Sequence, residues 1–201
     1  INPFFYICKN RNFFKDANTK LATYIIVASI PIFIFGLFVK LFWPGYSDSQ
    51  FRGLLSISII SIFMSLLLAL SEIYGKKKKL FTDIKLRDII ILGFAQSLAI
   101  FPGFSRSGVT LTSALFSGIE RKTAAKLSFL VGIPAILISG SVEFLTLYNS
   151  LSLIDILPII IGIISSFFSS MFAIDFLLKF LAKNNILIFV YYRLAFGVFI
   201  L

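Results

Sequence analysis

Between two apolar stretches, the decapeptide Phe101-Pro102-Gly103-Phe104-Ser105-Arg106-Ser107-Gly108-Val109-Thr110 gathers an arginine, two serines, a threonine and two glycines. An arginine at membrane depth costs about 2.5–3.5 kcal/mol even on lenient insertion scales. A chain carries that cost when the guanidinium holds something anionic, or when the backbone there lines a polar cavity. The planar fork of Arg106 can grip two oxygens of one phosphate. Ser105, Ser107 and Thr110 offer hydroxyl donors, and Gly103 and Gly108 let the backbone approach a ligand closely. A half-helix beginning near Ser107 would aim its free N–H groups, and about half a positive charge, at the same place. Discontinuous membrane helices hold anionic groups in this way. Pyrophosphate suits these donors better than a carboxylate, because it has more oxygens to match them. The competing readings make Ser107 or Thr110 a helix cap, the glycines packing sites, and Arg106 the partner of an acid such as Glu143. The density of polar groups favours the anion site. Gln96, on the preceding apolar stretch, either reaches a ligand or bridges helices.

The elements that must position these groups are membrane helices. Hydrophobic residues make up 58% of the 201, charged residues only 14%, and mean hydropathy is +0.97. These values lie outside the soluble globular range. The net charge of +10 does not point to nucleic acid. Its lysines and arginines fall in short loops between apolar runs, the positive-inside pattern, and the run Lys76-Lys77-Lys78-Lys79 abuts a spanning segment. The chain has no histidine and a single cysteine, Cys8. That excludes a histidine metal site, a Ser-His-Asp triad and an internal disulfide.

Apolar runs over 21–42, 54–74, 127–148, 156–178 and 186–201 predict about five spanning helices, given the ~20 residues that a bilayer requires. Residues 3–8 read as the tail of an earlier helix, followed by a basic loop with Lys9, Arg11, Lys15 and Lys20. Pro31 predicts a kink, and Gly132 with Pro134 an interruption of the 127–148 span. Residues 89–101 and 109–119 are each too short to cross. Both are charged at their outer ends, with Lys85, Arg87 and Asp88 before and Glu120, Arg121, Lys122 and Lys126 after. They predict a re-entrant hairpin over about 88–119, its tip deep in the membrane. Returning the hairpin to its side of entry puts Lys76–Arg87, Arg121–Lys126 and Lys179–Lys183 on the side of the first basic loop. Of the 19 basic residues, only Lys40, Arg52, Arg106 and Arg193 then lie elsewhere. The expected fold is therefore all-α: one integral membrane domain over residues 1–201. Glu72 and Asp175, near lysine-rich span ends, read as snorkelling or ion-paired residues, Glu143 as a residue toward the basic-poor side, and Arg193 as a packing or interface residue.

The segment 102–110 resembles the second signature of the undecaprenyl-diphosphate phosphatase family, also called bacitracin-resistance proteins. The likeness extends to Gly93-Phe94-Ala95-Gln96-Ser97-Leu98-Ala99 upstream, and to Ala124-Ala125-Lys126-Leu127-Ser128-Phe129-Leu130 with Pro134 downstream. The resemblance implies a bacterial inner-membrane phosphatase that converts undecaprenyl diphosphate to the monophosphate, the carrier lipid of cell-wall synthesis. It also implies inverted repeats, each with a re-entrant hairpin, and an active site between hairpin tips open to the periplasmic side. On that basis Arg106 and Ser105 are the expected catalytic residues. Gly103, Ser107, Gly108, Thr110 and Gln96 are the expected substrate-binding residues, and Mg or Ca is the expected ion, with no ligands identifiable here. The expected partners are the polyprenyl diphosphate lipid and the bilayer, with a possible homo-oligomer; the alternative function is a polyprenyl-phosphate flippase. One departure stands out. The family's first signature, a Glu-x-x-x-Glu pattern followed by a Ser/Gly-rich stretch with a histidine, has no counterpart here. The expectation is thus a sequence without its N-terminal region, and a chain that does not hydrolyse the substrate alone.

Overall fold

The computed structural model describes residues 17–148 and 153–201. The features expected at residues 3–8, at Cys8, and at Lys9, Arg11 and Lys15 lie outside it, as does the start of the 149–155 loop. Seven α-helices follow in order: α1 Ala17–Phe42, α2 Leu54–Tyr74, α3 Leu86–Ser97, α4 Arg106–Phe116, α5 Arg121–Leu147, α6 Leu153–Lys183 and α7 Leu187–Ile200. No strand occurs among the described residues; Lys79 and Ile119 form one isolated bridge. An all-helical answer follows from the environment, since lipid offers no partner for an unpaired backbone group.

Four helices, α1, α2, α5 and α6, are long and apolar enough to cross a membrane, and the chain is a multi-pass membrane protein. The fifth expected span is α7, whose 14 residues rise about 21 Å, less than a typical bilayer core. The span expected over 127–148 begins earlier, at Arg121, and Gly132 and Pro134 do not interrupt it. Proline is tolerated inside a spanning helix because neighbours re-satisfy the freed backbone groups; Pro31 and Pro158 likewise sit within continuous helices. Helix α6 buries almost nothing: residues 156–176 are all exposed. Its isoleucines and phenylalanines suit contact with lipid tails.

The short helices α3 and α4 form the expected hairpin. A single 3-10 turn over Leu98–Ile100 leads into the break at residues 101–105. At the far end the hairpin closes on its own beginning. The N–H groups of Lys78 and Lys79 both donate to the Gly118 carbonyl at 2.9 Å, and the Glu120 N–H donates to the Lys79 carbonyl at 3.0 Å. Entry and exit therefore share the lysine-rich side.

That side is tied by buried charge and by the core. Glu72, 6% exposed, ends α2 and accepts from Arg121 Nε at 3.0 and 3.1 Å, from Arg121 Nη2 and from Lys77 at 3.3 Å. Lys79 pairs with Asp88 at 3.0 Å. The buried core, including Tyr24, Ile84, Leu92, Leu115 and Leu127, lies around the hairpin, and the Tyr24 hydroxyl donates to the Ile84 carbonyl at 2.7 Å. Helices α1 and α3 approach closely because Gly93 faces Ala28. A Cβ on Gly93 would lie 2.8 Å from the Ala28 carbonyl oxygen, the small-residue contact that drives helix association in lipid.

Candidate anion site at the hairpin tip

The tip is held from the basic-poor side by an aromatic cluster. Phe101 lies 6.4, 6.1 and 5.8 Å from the rings of Phe35, Tyr46 and Phe51. The Tyr46 hydroxyl donates to the Ile100 carbonyl at 2.7 Å. Burial pushes this phenol above its ordinary pKa, against a smaller opposing effect of Arg52, so it remains a donor throughout the physiological range. Gly103 turns the chain at φ +93°. A Cβ there would sit 2.8 Å from the Ile57 carbonyl oxygen, so both the conformation and the space require glycine.

Helix α4 then begins one residue earlier than expected, at Arg106, with Ser105 as its N-cap. The Ser105 Oγ accepts from the Gly108 N–H at 3.2 Å and lies 3.3 Å from Ser107 Oγ. The cap is thus Ser105, not Ser107 or Thr110. Thr110 is fully buried: its hydroxyl donates to the Arg106 carbonyl at 2.9 Å and lies 2.5 Å from Ser128 Oγ. Ser128 also donates to the Ser107 carbonyl at 3.2 Å. These two residues fix the first turn of α4 against α5, and Thr110 lines neither tip cavity. Gln96 departs further from expectation. It is fully buried, its amide reaches the Ala28 carbonyl at 3.5 Å, and it bridges α3 to α1 away from the tip cavities, the second of its two expected readings.

The half-buried Arg106 donates through Nη1 to the Gly132 carbonyl. No carboxylate pairs with it among the described residues, and Glu143 is exposed. Gly132 lies eleven residues into α5, about 17 Å along an axis that must cross roughly 30 Å of hydrocarbon. Counted from Leu127, where the apolar run begins after Lys126, Gly132 is five residues in, about 8 Å, so the guanidinium lies within the apolar span. A Cβ on Gly132 would fall 2.5 Å from Arg106 Nη1; this glycine makes the seat for the guanidinium.

A second arginine joins the tip. Arg193 of α7 donates from Nη2 to the Gly103 carbonyl at 2.8 Å, and a Cβ on Gly108 would lie 2.7 Å from its Nη1. The packing role expected of Arg193 is only half of what it does here. With Ser105 and Tyr192 it lines two adjoining cavities. One, of about 220 Å³, also contains Ser107, Gly108 and Ser128; the other, of about 320 Å³, contains Gly103, Phe104 and Ser61. The sequence signal was the one that exposed Arg106, an arginine inside an apolar run, but without clustered hydroxyls around it.

No carboxylate lines either cavity, and no group of three histidines, cysteines or acids occurs among the described residues. Hard divalent cations need several oxygen ligands, carboxylates among them. The described residues therefore do not fit the expected Mg or Ca ion. Ser105, Ser107 and the Arg193 guanidinium line the tip cavities at the N-terminus of α4, while the Arg106 guanidinium sits on the Gly132 carbonyl and lines neither; donors of these types suit an anion.

Helices that cross the membrane, with a doubled-back hairpin presenting cationic donors between them, define a membrane protein that handles an anionic headgroup. A family model described as bacitracin resistance protein BacA matches residues 2–199, and the chain belongs to that family. A Prochlorococcus marinus (strain NATL1A) protein named undecaprenyl-diphosphatase is 72% identical over 100% of this chain, which covers 72% of that relative. A Synechococcus sp. (strain RCC307) protein of the same name is 46% identical over 92% of this chain and 64% of its own length.

Proposed function

We propose that the chain acts in removing the terminal phosphate of undecaprenyl diphosphate in the bacterial inner membrane. The observation that carries this reading is the pair of guanidiniums, Arg106 and Arg193, set without carboxylate partners among the described residues beside the N-terminus of α4. The names of the relatives support the same substrate. Each guanidinium donates to one backbone carbonyl and carries further N–H donors of the kind that hold phosphate oxygens.

The anhydride bond between the two phosphorus atoms breaks, the terminal phosphorus gains an oxygen from water, and the lipid leaves as the monophosphate. Catalysis of phosphoryl transfer rests on positioning and on offsetting charge at the transferred and leaving oxygens. Arg106 and the free N–H groups of α4 supply that charge. Ser105 and Ser107 direct hydroxyls at the headgroup, and Gly103 and Gly108 keep the backbone close. The apolar walls of the larger spans receive the polyprenyl tail. Self-association through the exposed face of α6 belongs to the same proposal; divalent-ion dependence would need ligands other than the described residues, which offer no carboxylate set at the tip. They are tested by cross-linking in native membranes and by chelation. No observation on this chain favours transport of the lipid.

The test uses two proteins: the 201-residue chain itself, and a chimera in which it replaces the matching part of the NATL1A relative. Both are assayed for phosphate release from undecaprenyl diphosphate, and release by the chimera is the expected result. Arg106→Ala in the chimera is expected to lower turnover about 100- to 1000-fold, the usual cost of losing one transition-state donor. Unchanged turnover in that variant removes the role given to the guanidinium.

A further inference from the structure

A second cavity, sharing no residue with those at the tip, runs along the outer face of the hairpin between α2, α3 and α4, with a volume of about 660 Å³. Its composition changes along its length. Lys85 and Arg87 stand at the end that opens on the lysine-rich side, both exposed and neither paired with a carboxylate among the described residues. Lys79 and Asp88 lie there too, but they neutralise each other. One turn deeper, Thr112 and Ser113 of α4 line the cavity at 5% and 9% exposure, and neither hydroxyl has a hydrogen-bond partner. Deeper still the walls are apolar, formed by Met64, Ile91, Leu98 and Val109. From Lys85 to Leu98 the rise along α3 is about 20 Å.

A buried hydroxyl without a partner is costly where no water reaches it. Both residues line the cavity, so turning either side chain about χ1 brings its hydroxyl to an occupant with acceptor oxygens at that level. The cationic rim calls for a negative charge above them, and the apolar walls call for a hydrocarbon chain below. One amphiphile has all three at this spacing, and we propose that the cavity is a binding site for an anionic phospholipid of the lysine-rich leaflet. Its phosphate lies between Lys85 and Arg87, its ester carbonyls accept from Thr112 and Ser113, and one acyl chain runs toward Leu98. Basic pockets between membrane helices on this side hold lipid headgroups by the same electrostatics. Because the site lies on the α3–α4 hairpin itself, its occupant braces the element that carries Arg106.

The experiment is native mass spectrometry of the purified chain after graded delipidation in mixed micelles of phosphatidylglycerol or phosphatidylcholine, with thermal unfolding followed in parallel. The expected result is one phosphatidylglycerol retained at detergent levels that strip phosphatidylcholine, with a higher Tm. In Lys85→Gln/Arg87→Gln, retention is expected to fall about tenfold, the loss expected for roughly 1.4 kcal/mol of electrostatic affinity. In Lys76→Gln/Lys78→Gln, which removes the same charge from the neighbouring loop, retention is expected to be unchanged. Thr112→Val/Ser113→Ala is expected to lose the lipid while remaining folded without it. Equal retention of the two lipids, equal loss from the two basic-residue variants, or full retention in Thr112→Val/Ser113→Ala would each overturn the proposal.

Discussion

Arg106 and Gly132 make a pair that neither sequence position announces alone. The guanidinium occupies the space where a side chain on Gly132 would begin. Gly132→Ala is therefore expected to displace the flexible end of Arg106 and leave the backbone of α5 in place. A misplacement of about 1 Å costs on the order of 100-fold in turnover, while Tm stays within a few degrees; a kinetic assay beside a thermal melt separates the two. Ser105 presents a different ambiguity, since the same hydroxyl both caps α4 and faces the cavity. Ser105→Ala loses about 1 kcal/mol of cap together with the hydroxyl. Ser105→Asn keeps the cap and removes only the hydroxyl. Activity is expected to fail in both, whereas recovery in the asparagine variant would leave Ser105 a cap alone. At this scale Arg106, Ser105 and the two glycines of the decapeptide stand out in the sequence because their types and density are improbable inside hydrocarbon; the structure puts Ser105 and both glycines on the tip cavities and Arg106 on Gly132. Thr110 and Gln96 were misplaced because sequence spacing does not say which face of a short helix meets a neighbour.

The hairpin depends on one backbone conformation and one closure. Gly103 holds a left-handed φ against the Ile57 carbonyl. Gly103→Ala adds strain of about 1–3 kcal/mol and a contact too short to keep. It is expected to loosen the tip, with a lower Tm and loss of headgroup binding together. That two short apolar helices should double back was legible from their length and from the basic residues at both ends. The closure of Lys78 and Lys79 on Gly118 was not, because it is a backbone contact between residues forty apart and carries no side-chain signal. The sequence also anticipated Pro134 as an interruption; lipid, by favouring every helical hydrogen bond that can be kept, holds α5 continuous through it.

Across the whole molecule, the ledger of basic residues assigned the two faces, and the structure gives that assignment a physical anchor. Glu72 binds Arg121 and Lys77 where α2, α5 and the hairpin's base converge. Glu72→Gln leaves two cations without their partner and is expected to cost roughly 1–3 kcal/mol, read as a lower midpoint in thermal or denaturant unfolding. In a Cys8→Ala background, Lys78→Cys and Lys122→Cys are expected to react with an impermeant maleimide from one side of the membrane, and Asp48→Cys from the other. Labelling of Lys78→Cys and Lys122→Cys from opposite sides would replace the hairpin with a crossing helix. The placement of α7 was beyond sequence reasoning. Its 14 residues read as another apolar segment, and only tertiary packing of Gly197 against Ser58 and Ile62 brings Arg193 to the tip.

Affinity of the purified chain for a diphosphate-headed lipid tests the central claim most directly, because binding requires the anion site and not the chemistry that follows. Titration of farnesyl diphosphate into the detergent-solubilised chain is expected to show saturable binding that weakens about tenfold or more in Arg106→Ala, a charge-assisted pair being worth roughly 1.5–3 kcal/mol. Farnesol is expected to bind both proteins alike. Equal affinity of wild type and Arg106→Ala for the diphosphate would contradict the account.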